Sequence, residues 1–152
     1  MVVVLVDRIN VRRDTEFYRP ALDELPPSLR AGIAELLNDS EREFDMEYTR
    51  VLGYCPPEAQ THVALGIYSM MHTSPTQFEL CKLRMEVDYQ GQGLGRRLLG
   101  HALGLAESKG GRQIRVCVPA DRAREIGLLE RYGFVGLDDK QTWVFDLSLI
   151  HI

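Results

Sequence analysis

Apolar residues along this chain fall into two rhythms. Val2 to Val6 is a short β-branched run and predicts a first strand. From about Pro20 to Asn38, Leu22, Leu25, Leu29, Ile33, Leu36 and Leu37 recur at helical spacing. Pro26 and Pro27 interrupt that pattern, which predicts two short helices rather than one. Strands are expected over Arg50 to Cys55, Thr61 to His72 and Phe78 to Val87, with a turn at Ser74-Pro75. In the last of these, Cys81, Leu83, Met85 and Val87 alternate with Lys82, Arg84 and Glu86, which predicts one face turned to a core. The rhythm then becomes helical through Leu94, Leu98, Ala102, Leu105 and Ala106, and Gly110-Gly111 closes the helix. Ile114 to Val118 predicts a strand, Asp121 to Arg131 a helix ended by Gly133, and Phe134-Val135 with Trp143-Val144-Phe145 a closing hairpin.

The order is therefore a strand, two helices, three strands, then helix, strand, helix and a final pair of strands. That is a mixed α/β (α+β) pattern with no internal repeat. The 152 residues fit one domain, expected over residues 1–146, and suffice for a core without staples. The net charge of −4 gives no sign of nucleic-acid binding. Three cysteines, Cys55, Cys81 and Cys117, include no C-x-x-C pair, so neither a disulfide framework nor a metal site is expected, and buried free thiols are. The apolar start is too short for a signal peptide, and no run reaches the length of a membrane span. No membrane partner is expected, and a cytoplasmic setting follows by elimination. The last six residues, Leu147 to Ile152, resemble the translation of a transposon-end adapter used in DNA library preparation. An ordinary apolar strand end is the other reading.

Candidate chemistry concentrates where the strand ending at Val87 meets the helix starting at Leu94. Gly91, Gly93 and Gly95 alternate there. Glycine lets backbone N–H groups approach a ligand, and the first N–H groups of a helix have no intrahelical partner. Both suit a phosphate. Arg96 and Arg97 lie in the first helical turn, where cations oppose the helix dipole, and a bound pyrophosphate would remove that conflict. Two exposed arginines on a tolerant helix are the plainer alternative. A Walker A loop is excluded because Arg96 stands where lysine is needed. A G-x-G-x-x-G fingerprint is excluded because Arg96 and Leu98 occupy its last position in either register.

What fits is Q/R-x-x-G-x-G/A, read here as Gln90-Gly91-Gln92-Gly93-Leu94-Gly95. This resembles the coenzyme A signature of the GCN5-related N-acetyltransferases, the GNAT superfamily. Leu83 to Tyr89 is similar to the strand before that loop, and Leu128 to Phe134 to the helix leading to Gly-Phe. The resemblance spans about Val2 to Asp146, with motif-level detail over Glu79 to Phe134. It implies a mostly antiparallel twisted sheet flanked by about four helices, with a splay between the fourth and fifth strands. It also implies acetyl-CoA, or another acyl-CoA, as co-substrate and an amine as acceptor, on a small molecule or a peptide. Leu83, Arg84 and Met85 would bind the pantetheine arm, with the Met85 N–H polarising the thioester carbonyl. Gln90, Gly91, Gln92, Gly93, Leu94, Gly95 and Arg96 would hold the pyrophosphate.

The family's usual tyrosine on the later helix is replaced by Leu129. Tyr132 either substitutes for it as acid or caps the core beside Phe134. Glu79 is the candidate general base, on strand parity with Leu83 and Met85. Glu86 and His72 are weaker bases, and an acyl-cysteine at Cys117 is a remote route. Acids from Asp39 to Glu47 would either attract a cationic amine or form a solvated face. The missing tyrosine also motivates a second reading, an acyl-CoA-binding sensor without turnover. A structural subunit is a third. A homodimer stays open.

Overall fold

The computed structural model describes residues 15–20, 27, 29, 46–55, 62–85 and 93–148. Its elements are β1 (Thr15–Tyr18), β2 (Thr49–Tyr54, entered from a 3-10 turn at Met46–Tyr48), β3 (Val63–Ser74), β4 (Gln77–Met85), α1 (Leu94–Ser108), β5 (Gln113–Cys117), α2 (Ala123–Tyr132), β6 (Val135–Gly136) and β7 (Thr142–Asp146). Among the described residues seven strands form one sheet in the order β1-β2-β3-β4-β5-β7-β6. Every pairing is antiparallel except β4 with β5. A parallel pair needs a crossover connection, and α1 supplies it.

The β2 to β5 strands, the final hairpin and both helices lie where the hydrophobic period placed them. Strand β1 was not expected from the pattern, yet Thr15 to Tyr18 pair with Tyr54 to Val51. The expected strand at Val2 to Val6 lies outside the described residues, as does most of the expected helical pair from Pro20 to Asn38. Of that stretch, Leu29 has helical backbone and is fully buried.

The core divides on the two faces of the sheet. Adjacent strand residues point to opposite faces, and Val51 and Leu52 belong to different clusters, as do Ile67 and Tyr68. The larger cluster joins α1 (Leu94, Leu98, Leu99, Ala102, Leu103, Ala106) to Phe78, Leu80, Ile114 and Val116 of the sheet and Leu128 and Leu129 of α2. The smaller holds Leu29, Val51, Ala64 and Ile67.

Two features of β4 position the site. Its register against β3 shifts between Ser69 and Met70: Ser69 faces Lys82 and Met70 faces Leu80, so Cys81 is an extra residue on β4. A bulge of this kind reverses which residues share a face. In addition, the ladder with β5 runs from Gln77↔Gln113 to Leu80↔Val116, while β4 continues to Met85.

Candidate functional site

Where β4 runs on past its ladder with β5, a cavity of about 160 Å³ opens between β4, β5 and the start of α2. Its walls include Leu80 to Arg84, Val116 to Pro119, and Arg122, Glu125 and Leu129 of α2. The ladder with β5 ends at Leu80, and β4 continues along this wall to Arg84. Glu125 is the carboxylate in this wall, 4.0 Å from the Arg122 guanidinium.

A second cavity of about 500 Å³ follows along β4 and α2, lined by Met85, by Gly93 to Arg96 at the start of α1, and by Arg124, Leu128, Arg131 and Tyr132 of α2. Gly93 takes φ 86°, a left-handed conformation that glycine adopts freely. Its carbonyl accepts the Arg97 N–H at 3.0 Å, the first turn of α1. Among the described residues a Cβ at Gly93 would meet nothing within 4 Å, so the backbone angle is what calls for glycine there. Gly95 answers a different need. A Cβ there would stand 2.5 Å from Leu128 Cδ2 and 3.3 Å from Met85 Sδ, so its absence lets α1, α2 and β4 converge.

The expected cofactor residues thus collect in two consecutive cavities. Leu83 and Arg84 line the smaller, and Met85, Gly93, Leu94, Gly95 and Arg96 the larger. Gln90, Gly91 and Gln92 lie outside the described residues. The arginine pair divides: Arg96 is exposed into the larger cavity, whereas Arg97 turns over the Phe17 ring, 5.0 Å from its centroid. Sequence reasoning missed Arg124 and Arg131. Their spacing with Leu128, at i, i+4 and i+7, marks one helical stripe and was a readable signal.

Glu79 stands elsewhere. Its cross-strand partners are Met71 and Arg115, and the bulge at Cys81 puts it on the face opposite Leu83 and Met85, whose partners are Tyr68 and Gly66. The shared parity expected from spacing is cancelled by one extra residue. At about 3.3 Å per residue, Glu79 lies roughly 13 Å from Leu83 along β4. Tyr132 is half-buried and lines the larger cavity rather than the smaller. Burial raises its phenol pKa, and Arg96 nearby offsets part of that rise. Its ring meets Phe145 edge-on at 6.1 Å. Leu129 occupies the smaller cavity's wall. The three cysteines are exposed, not buried as expected. Cys81 owes this to the bulge, and Cys117 ends β5 with its thiol 4.0 Å from Thr142 Oγ1.

On the side of α1 away from the cavities, His101 Nδ1 and Tyr68 Oη share a 2.6 Å hydrogen bond. Phe17 stacks on His101 at 3.7 Å. Burial, with Arg50 and Arg97 adding repulsion, pushes the His101 pKa down to about 4. Arg97 Nε is buried without a hydrogen-bond partner among the described residues.

Among the described residues no helix is long and apolar enough to cross a membrane, and no cluster of three metal-ligating side chains occurs.

Among the described residues the sheet is mixed, with a single parallel step between β4 and β5, and α1 starts at Gly93 beside the end of β4. Residues 14–134 match the acetyltransferase (GNAT) family, and this chain belongs to that family. It is 36% identical over 94 residues to the uncharacterized protein ML0378 of Mycobacterium leprae (strain TN), an alignment covering 62% of this chain and 25% of that protein. The chain thus matches only a quarter of that relative's length. Among solved structures, the fold is similar to an IAA acetyltransferase from Bacillus cereus (TM-score 0.63, 16% identity, covering 87% of this chain and 99% of that one). It is also similar to N-acetylglutamate synthase from Neisseria gonorrhoeae, complexed with coenzyme A and N-acetyl-glutamate (TM-score 0.64, 14% identity, 88% of this chain and 35% of that one). These likenesses establish the fold.

Proposed function

We propose that this chain transfers an acetyl or other acyl group from acyl-CoA to a primary amine by direct attack. The observation that carries the reading is the succession of two cavities along β4, the smaller where β4 continues past its ladder with β5 and the larger at the start of α1. The opening between β4 and β5 is read as the family's splay. The pyrophosphate would lie on the N–H groups of Gly91 to Arg96, where the α1 dipole favours an anion. The pantetheine arm would then run along Met85, Arg84 and Leu83, with its thioester in the smaller cavity. That direction moves the N–H that polarises the thioester carbonyl from Met85 toward Leu83.

The amine loses a proton before or as it attacks. Glu125 is the carboxylate lining the thioester end, and we assign it the general base role. Glu79, on the other face of β4, would act only through intervening water. The tetrahedral intermediate collapses with loss of the CoA thiolate, which as a sulfur leaving group far less basic than an alkoxide or amide can depart without a dedicated acid. That suits Leu129 in the wall and leaves Tyr132 to close the phosphate end rather than to protonate sulfur. Leu129 also supports a second reading, a domain that binds acyl-CoA without turnover.

Thiol release from acetyl-CoA, measured across a panel of primary amines, separates the two. Amine-dependent release is expected, and Glu125→Gln should lower kcat by about 10²–10⁴-fold with little change in acetyl-CoA affinity. Tight acetyl-CoA binding with no release for any amine favours the sensor. Full activity in Glu125→Gln with loss in Glu79→Gln returns the base role to Glu79.

A further inference from the structure

The larger cavity holds more positive charge than a pyrophosphate on a helix start requires. Arg96 comes from α1, and Arg124 and Arg131 come from one stripe of α2. Among the described residues no Asp or Glu lines this cavity, and no ion pair to any of the three arginines occurs. Arg124 sits in the first turn of α2, where a cation opposes the helix dipole. Arg131 lies back along the same helix over Gly127, where a Cβ would stand 3.2 Å from Arg131 Nη1. Two elements therefore converge three guanidinium groups on one space, an arrangement that a bound anion would stabilise.

Coenzyme A carries two separate phosphate groups at its nucleotide end. On the acyl-CoA reading, the diester pyrophosphate would have the start of α1 and Arg96. A 3′-phosphomonoester carries close to two negative charges at neutral pH and suits bidentate guanidinium recognition. We propose that Arg124 and Arg131 form a 3′-phosphate subsite, so that this chain selects CoA over dephospho-CoA. The inference rests on the acyl-CoA reading and adds a determinant of co-substrate choice on α2.

The test is calorimetric titration of the full chain with acetyl-CoA and acetyl-dephospho-CoA, on the wild type and on Arg124→Gln/Arg131→Gln. Wild type should bind acetyl-CoA at least tenfold more tightly. The double variant should lose that preference while keeping its affinity for acetyl-dephospho-CoA within about twofold. The wild-type preference should also grow between pH 5.5 and 7.5, as the monoester takes its second charge near pH 6. Equal affinity of wild type for both ligands overturns the subsite and leaves the acyl-CoA reading standing. A double variant that weakens both ligands alike also overturns it, because the arginines then serve the pyrophosphate. Failure of both ligands to bind wild type overturns the acyl-CoA reading and the subsite with it.

Discussion

At the scale of single residues, His101 shows what burial among cations does to a titrating group. Phe17 from β1, Tyr68 from β3, Arg50 from β2 and Arg97 from its own helix surround it. Arg50 Nη1 donates to the Glu47 and Thr49 carbonyls, with the Glu47 carboxylate offsetting part of its charge, and Arg97 covers Phe17. The imidazole is therefore held neutral, with a pKa of about 4 against 6.5 in the unfolded chain. Between those two values the unfolded chain binds the extra proton, so stability rises with pH across the window. The contribution is complete above about pH 6.5 and is lost as pH falls toward 4. The melting temperature should drop between pH 7 and 4.5, and His101→Gln, which keeps a hydrogen-bonding partner for Tyr68, should flatten that slope. Equal slopes in the two proteins would show that His101 titrates normally. None of this was legible in the sequence, where His101 is one polar position in an amphipathic helix and its partners come from three distant strands.

At the scale of elements, the alternation rules read β2 to β5 and both helices correctly, because each has a run long enough to show its period. They missed β1, whose four residues carry little pattern and follow the charged Arg12, Arg13 and Asp14; only its pairing with β2 defines it. They also misplaced Glu79, because counting by twos assumes no bulge, and the extra Cys81 is invisible without the β3 register. The glycine spacing pointed to the start of α1, where Gly93 to Arg96 line the larger cavity, whereas the α2 wall of that cavity carries no motif, only a stripe. The same strands show how α1 is seated. A Cβ at Gly66 of β3 would stand 2.7 Å from Leu98 Cδ1 and 2.9 Å from the Arg84 carbonyl oxygen. Leu98 can move in part; the β4 backbone cannot without disturbing the strand that lines both cavities. Gly66→Ala should therefore cost about 1–3 kcal/mol of stability, measured by urea unfolding, and should weaken acetyl-CoA binding as well. Loss of stability with unchanged binding would mean that α1 shifts alone and β4 holds its place.

At the scale of the whole molecule, two electrostatic effects oppose each other. The chain carries a net charge of −4, which repels a polyanion such as CoA at long range. The larger cavity presents three arginines and the start of a helix at contact range. Distance decides between them. The Debye length is about 10 Å at 0.1 M salt and about 3 Å at 1 M, so charges spread over the surface are largely screened before those lining a cavity are. If the diffuse charge governed binding, added salt would relieve repulsion and tighten the complex. If the cavity governs, salt competes with the guanidinium–phosphate contacts and loosens it. The partly enclosed site and the absence of any carboxylate among the described residues of its wall favour the second outcome. The Kd for acetyl-CoA should rise several-fold between 0.05 and 0.3 M NaCl, and Arg124→Gln/Arg131→Gln should show a shallower dependence, because fewer contacts remain for salt to weaken. A Kd that falls with salt would mean that the acidic surface outweighs the arginines and that the anion is not held where α1 and α2 converge.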